Sequence, residues 1–84
     1  MSMTLTKTVL IVEDTASQME LMSHYLRESG YSVISAVSAK EAIAKANEKA
    51  PDVIVTDVVM PGMSGFELCR SLKRNPATVN VPIV

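Results

Sequence analysis

Three carboxylates stand where apolar runs stop. Glu13 and Asp14 close the run Thr8-Val9-Leu10-Ile11-Val12, and Asp57 closes Val53-Ile54-Val55-Thr56. In open α/β sheets, ligands bind outside the carboxyl ends of the strands, near the point where strand order reverses. If the two runs are neighbouring strands, the three acids meet in one crevice and repel. Neutral pH tolerates that arrangement only with a cation or a shared proton. A hard divalent ion suits it best, because Mg²⁺ takes oxygen ligands and is held by one or two carboxylates with phosphate and water. Taken singly, each acid says little: Asp14 alone would be an ordinary helix N-cap. Acids ending two buried strands, with Pro61-Gly62 turning the chain soon after one of them, favour a shared site.

The elements that must position these acids alternate along the chain. Thr8–Val12 is a continuous apolar strand of the kind buried on both faces of a parallel sheet. Ser17 and Glu20 fit a capping box opening a first helix, Met19, Met22 and Leu26 give its buried stripe, and Gly30 sits where a helix C′ glycine would. Tyr31–Ser35 predicts a second strand, more polar, as an edge strand is. Ser38 and Glu41 form another capping box, followed by a narrow stripe of Ala39, Ala42, Ile43, Ala46 and Ala50 that Pro51 ends. Val53–Thr56 is a third strand. Ser64 with Glu67 opens a third helix carrying Phe66, Cys69 and Leu72, Asn75-Pro76 breaks it, and Val81–Val84 opens a fourth strand. Such β-α units place helices on both faces of a parallel sheet through right-handed crossovers, so the fold class is α/β in one unit spanning residues 1–84.

Composition narrows the function. The 84 residues allow one small domain, and 48% apolar with 20% charged residues excludes intrinsic disorder. Basic and acidic residues interleave to a net charge of −1, so no basic stripe is available for nucleic acid; Lys73-Arg74 is too short for one. No run approaches the roughly 20 apolar residues of a membrane span, and there is no signal-peptide core, which points to a cytoplasmic protein. A lone Cys69 makes neither an internal disulfide nor a metal site, and at its helical spacing packing is its default role. His24, mid-helix among polar neighbours, reads as a surface residue.

The segments Val9–Asp14 and Pro51–Leu68, with the latter's Asp57-Val58-Val59-Met60-Pro61-Gly62-Met63-Ser64-Gly65, resemble the receiver domain of two-component response regulators, the CheY-like family. The resemblance covers essentially the whole chain and implies a flavodoxin-like strand order. It implies that Asp57 is the phosphoacceptor, attacking a phosphohistidine or small acyl phosphate. It makes Asp14 a direct Mg²⁺ ligand, Glu13 its neighbour that often acts through water, and Val59 the residue whose backbone carbonyl completes the metal site. A sensor histidine kinase or phosphotransfer protein would be the donor, and the chain a phosphoacceptor with weak autophosphatase activity rather than an enzyme.

The same resemblance implies a Ser or Thr after the fourth strand, a fifth strand ending in Lys, an aromatic switch residue and two further helices. None of these is present. The chain therefore reads as a partial receiver, β1-α1-β2-α2-β3-α3-β4, with slow phosphorylation and no normal switch. A sheet edge and apolar side chains would be left open, which predicts a homodimer, with or without domain swapping. Among rivals, a haloacid-dehalogenase-like phosphatase would need an acid two residues after Asp57, where Val59 stands, and the three glycines make no nucleotide-binding motif. The serious alternative is a phosphorylation-independent module used for dimerisation.

Overall fold

The computed structural model describes residues 7–56, 65–76 and 78–84. Three strands, β1 (Thr8–Val12), β2 (Ser32–Ala36) and β3 (Val53–Thr56), form a parallel sheet in the order β2-β1-β3. Helices α1 (Ala16–Glu28), α2 (Ala39–Glu48) and α3 (Gly65–Arg74) alternate with them. β1 lies in the centre, paired to β2 from Thr8↔Ser32 to Val12↔Ala36 and to β3 from Val9↔Val53 to Val12↔Thr56. All five β1 residues are buried, as its unbroken apolar run predicts.

Strand alternation assigns the two faces. Leu10, Val12, Ala36 and Ile54 point to one side, where they join Ala39, Ala42 and Ala46 of α2 and Leu68 and Leu72 of α3 in one core. Val9, Val53 and Val55 point to the other, beside Leu26 of α1. The alanine stripe has a clear use: side chains that end at Cβ let α2 lie close to the sheet, and Ala42 and Ala46 are fully buried. Ala50, the last member of the expected stripe, falls beyond the helix and is exposed. Among the described side chains of α3, Leu68 and Leu72 are buried and Cys69 is half-buried, so the core takes Leu68 and the expected Leu72 rather than Cys69; the side chain of Phe66, also expected in the stripe, lies outside the described residues.

Helix ends follow local chemistry with one exception. Ser38 caps α2, its Oγ accepting from the Glu41 N–H at 3.1 Å. α1 ends in a Schellman motif: the Tyr31 N–H reaches the Leu26 carbonyl and the Gly30 N–H the Arg27 carbonyl, both at 3.0 Å. Gly30 has φ +95°. This motif consumes Tyr31, which explains why β2 begins at Ser32, one residue later than the sequence suggests. The exception is the start of α1. The N-cap is Thr15, with no side-chain cap bond, and Ser17 lies inside the helix. Ser64, expected to open α3, lies outside the described residues.

The expected fourth strand is present as a bridge. Ile83 lies parallel to Ile54 on the free side of β3. Ile54 N–H donates to the Pro82 carbonyl at 2.9 Å, Val84 N–H to the Ile54 carbonyl at 2.8 Å, and Thr56 N–H to the Val84 carbonyl at 3.2 Å. Pro82, having no N–H, can contribute only as an acceptor. The approach to this bridge is anchored to α3: buried Thr78 donates its Oγ1–H to the Leu72 carbonyl at 2.6 Å, and Lys73 Nζ donates to the carbonyls of Val79 and Val81.

A Cβ added at Gly30 would meet nothing within 4 Å, so a substitution there carries only the backbone penalty of positive φ. Gly30→Ala is expected to lower unfolding free energy by about 1–2 kcal/mol in urea titrations, with an unchanged far-ultraviolet circular dichroism spectrum.

Candidate functional site at the carboxyl edge of the sheet

The pairing Val12↔Thr56 brings β1 and β3 to an end at the same level, side by side. Glu13 and Asp14 follow the first directly in sequence and Asp57 follows the second. Asp57 and Val59, together with Met60, Pro61 and Gly62, lie outside the described residues. The site can therefore be built from its β1 half.

Glu13 extends the ladder by one residue, its N–H donating to the Ala36 carbonyl at 3.0 Å. Its side chain is buried, at 8% exposure, and one carboxylate oxygen, Oε2, accepts from the Thr15 N–H at 3.1 Å. Asp14 is exposed. Because the cap position belongs to Thr15, the simple reading of Asp14 as a helix cap does not hold. It is Glu13, across the turn, that takes up the N–H at the entrance to α1. Both acids precede a helix N-terminus, whose partial positive charge favours anions nearby and lessens their mutual repulsion.

The donor chemistry fits a hard divalent cation. Two carboxylates at a strand end offer oxygen donors only, and one is fixed by burial and a backbone hydrogen bond while the other is accessible to solvent. Among the described residues no group of three or more His, Cys, Asp or Glu side chains forms a metal cluster, and the described half of the site holds the two acids alone.

Other acids and nucleophiles lie elsewhere. Asp52 sits at the opposite end of the sheet, where its Oδ2 accepts from the Thr8 N–H at 2.7 Å and its own N–H donates to the Thr8 carbonyl. That role escapes a reading of the sequence, although an acid between Pro51 and the first residue of a strand is the available signal. His24 is exposed on α1 with its ring 6.2 Å from that of Tyr25, and Cys69 lies on α3. No described helix is long and apolar enough to cross a membrane.

Comparison with known proteins identifies the family and the fold. Residues 9–84 match the model of the response regulator receiver domain. The chain is 40% identical over 76 residues to the response regulator PleD of Caulobacter vibrioides, covering 90% of this chain and 17% of that protein. It is 33% identical over 76 residues to protein PilH of Pseudomonas aeruginosa, covering 90% of this chain and 63% of that one. The chemotaxis response regulator CheY4 of Vibrio cholerae superposes with a TM-score of 0.91 at 38% identity, over 94% of this chain and 66% of its own. The chain thus spans less than two-thirds of the length of each of these relatives.

The two described acids should separate in their structural weight. Glu13→Ala, which removes the bond to the Thr15 N–H, is expected to cost about 1 kcal/mol in metal-free denaturant unfolding. Asp14→Ala in the same buffer should stay within about 0.5 kcal/mol of the parent.

Proposed function

Because this chain belongs to the response regulator receiver family, with the flavodoxin-like fold of that family, we propose that it accepts a phosphoryl group on Asp57 in a Mg²⁺-dependent reaction. The observation that carries the reading is the register Val12↔Thr56, which ends β1 and β3 together and sets the Glu13-Asp14 pair beside the strand that leads into Asp57. In the proposed step, one Asp57 carboxylate oxygen attacks the phosphorus of a phosphohistidine or small acyl phosphate. A new O–P bond forms as the bond from phosphorus to the donor's imidazole nitrogen or acyl oxygen breaks, and that bonding pair leaves with the donor.

Asp14 and Asp57, with the backbone carbonyl of Val59, would hold the metal directly, and Glu13 would hold it through water. When bound, Mg²⁺ offsets the charge between an anionic nucleophile and an anionic phosphoryl group. Glu13 also acts as a positioning residue. Its bond to the Thr15 N–H fixes the turn on which Asp14 stands, so Asp14 need not order that turn itself. Transfer by the 84 residues alone is proposed to be slow, since the Ser or Thr and the Lys implied by the resemblance are not among them. We propose a sensor histidine kinase or phosphotransfer protein as the phosphoryl donor, in the cytoplasm, and no contact with nucleic acid or membrane. The chain is proposed to serve as a phosphoacceptor and not an enzyme, any autophosphatase activity being weak.

A second reading, a phosphorylation-independent module in which copies of the chain pair as a homodimer with or without exchanged elements, is favoured by a partly open apolar sheet face beside α1. Incubation with a small acyl phosphate and Mg²⁺, read by intact mass, separates the two. Incorporation should vanish in Asp57→Asn and on chelation of the metal, and fall at least about tenfold in Asp14→Asn. Incorporation that persists in Asp57→Asn, or none under conditions that label a longer receiver, overturns the phosphoacceptor reading.

A further inference from the structure

We infer that Lys45 guards the free edge of β2 against pairing with the same edge of a second copy of this chain. β2 is an outermost strand of the described sheet, and successive residues of a parallel strand direct their backbone groups to alternate sides. Ser32 donates its N–H to the Lys7 carbonyl at 2.9 Å, and the Ala36 carbonyl accepts from the Glu13 N–H at 3.0 Å. Ser32, Ile34 and Ala36 therefore address β1. Val33 and Ser35 turn their N–H and carbonyl groups outward, where no described strand pairs with them. Pro82–Val84 lie against β3 on the other side of the sheet, so this edge does not depend on them.

A row of outward backbone groups is a template for another strand. The second copy of this chain presents an identical row, and a two-fold axis through Ile34 would set the two edges antiparallel. Val33 of each copy would then lie opposite Ser35 of the other, the two residues exchanging both N–H···O bonds. The Ser35 carbonyl is thus the acceptor that the second copy needs.

That acceptor is taken from within the chain. Lys45 Nζ, reaching from α2, donates to the Ser35 carbonyl at 2.6 Å. Glu41, one turn earlier on α2, holds the same ammonium at 3.1 Å. A lysine serving α2 alone would need only this i,i+4 partner; the bond to Ser35 carries its charge across to the sheet edge. The ammonium stands where an incoming strand would have to run, as charged side chains on sheet edges do. Two-fold pairing would also bring two such ammoniums to one joint, and like charges facing each other across a ladder destabilise it.

Sedimentation equilibrium from micromolar to millimolar concentrations, without phosphoryl donor, tests this against the parent chain, whatever the parent's own state. Lys45→Met keeps the length of the side chain and removes its charge and its donors. It should show an association step absent from the parent, and with it amide hydrogen exchange at Val33 and Ser35 should slow at least about tenfold. Lys45→Arg, which keeps both charge and donors, should behave as the parent does. Adding Ser35→Pro to Lys45→Met removes an outward N–H that the sheet of a single chain does not use, and should abolish the new step. Lys45→Gln carries the expectation of Lys45→Met should the latter lose its circular dichroism spectrum. Association of the neutral variant no stronger than the parent's, or association that leaves exchange at Val33 and Ser35 unslowed, overturns the assignment of Lys45 as the guard of this edge.

Discussion

The structure depends on one strand being buried on both sides. β1 has a partner along each edge and helices over each face, so Thr8–Val12 must satisfy its backbone through the two ladders and its side chains through packing alone. A run of apolar residues answers the second demand, and β2 and β3 answer the first. Every other element takes its place from this strand. α2 and α3 cover the face of Leu10 and Val12, α1 lies on the opposite face, and the acids that follow Val12 emerge at the carboxyl edge beside the end of β3.

Such a centre forces a contrast between its two ends. At the carboxyl edge, Glu13 gives its backbone to the ladder and its side chain to the Thr15 N–H, leaving Asp14 exposed at the start of α1. At the amino edge, Asp52 clasps the backbone of Thr8 from across the sheet. Two acids near strand ends therefore do opposite work. One ties the start of β1 to the segment before β3, and the other is left exposed to solvent. Alanines on α2 bring that helix close to the sheet, where Leu10, Ile54, Leu68 and Leu72 fill the remaining volume of the core.

Much of the fold is legible from the chain because its signals are local. Gly30 is where positive φ is needed, Ser38 supplies the oxygen that α2 lacks, and the boundaries of β1, β2 and β3 follow the apolar runs to within a residue. Where pattern and structure part, each departure has its own cause. Ser17 and Glu20 have the right spacing for a cap, but Glu13 reaches the Thr15 N–H from outside the pattern and the helix begins two residues sooner than Ser17 would place its first turn. On α3 the core takes Leu68 and not Cys69, since spacing alone does not say which of two adjacent apolar residues faces inward. Tyr31 is hydrophobic enough for a strand and is taken by the Schellman turn instead.

By itself, the sequence determined the α/β alternation, the residue types at the strand ends and hence the oxygen-rich chemistry they offer, because strand periodicity, capping and carboxylate charge are properties of neighbouring residues. That β1 lies between β2 and β3 is a different kind of fact. It joins residues more than forty positions apart, Val12 and Thr56 among them, and follows from which order buries both faces of one strand. The bond of the Glu13 backbone to Ala36, the use of Asp52 and the bridge of Ile83 to Ile54 were likewise decided only in three dimensions. Each depends on what a side chain or an edge meets after the chain has folded back on itself, and sequence distance carries no measure of that.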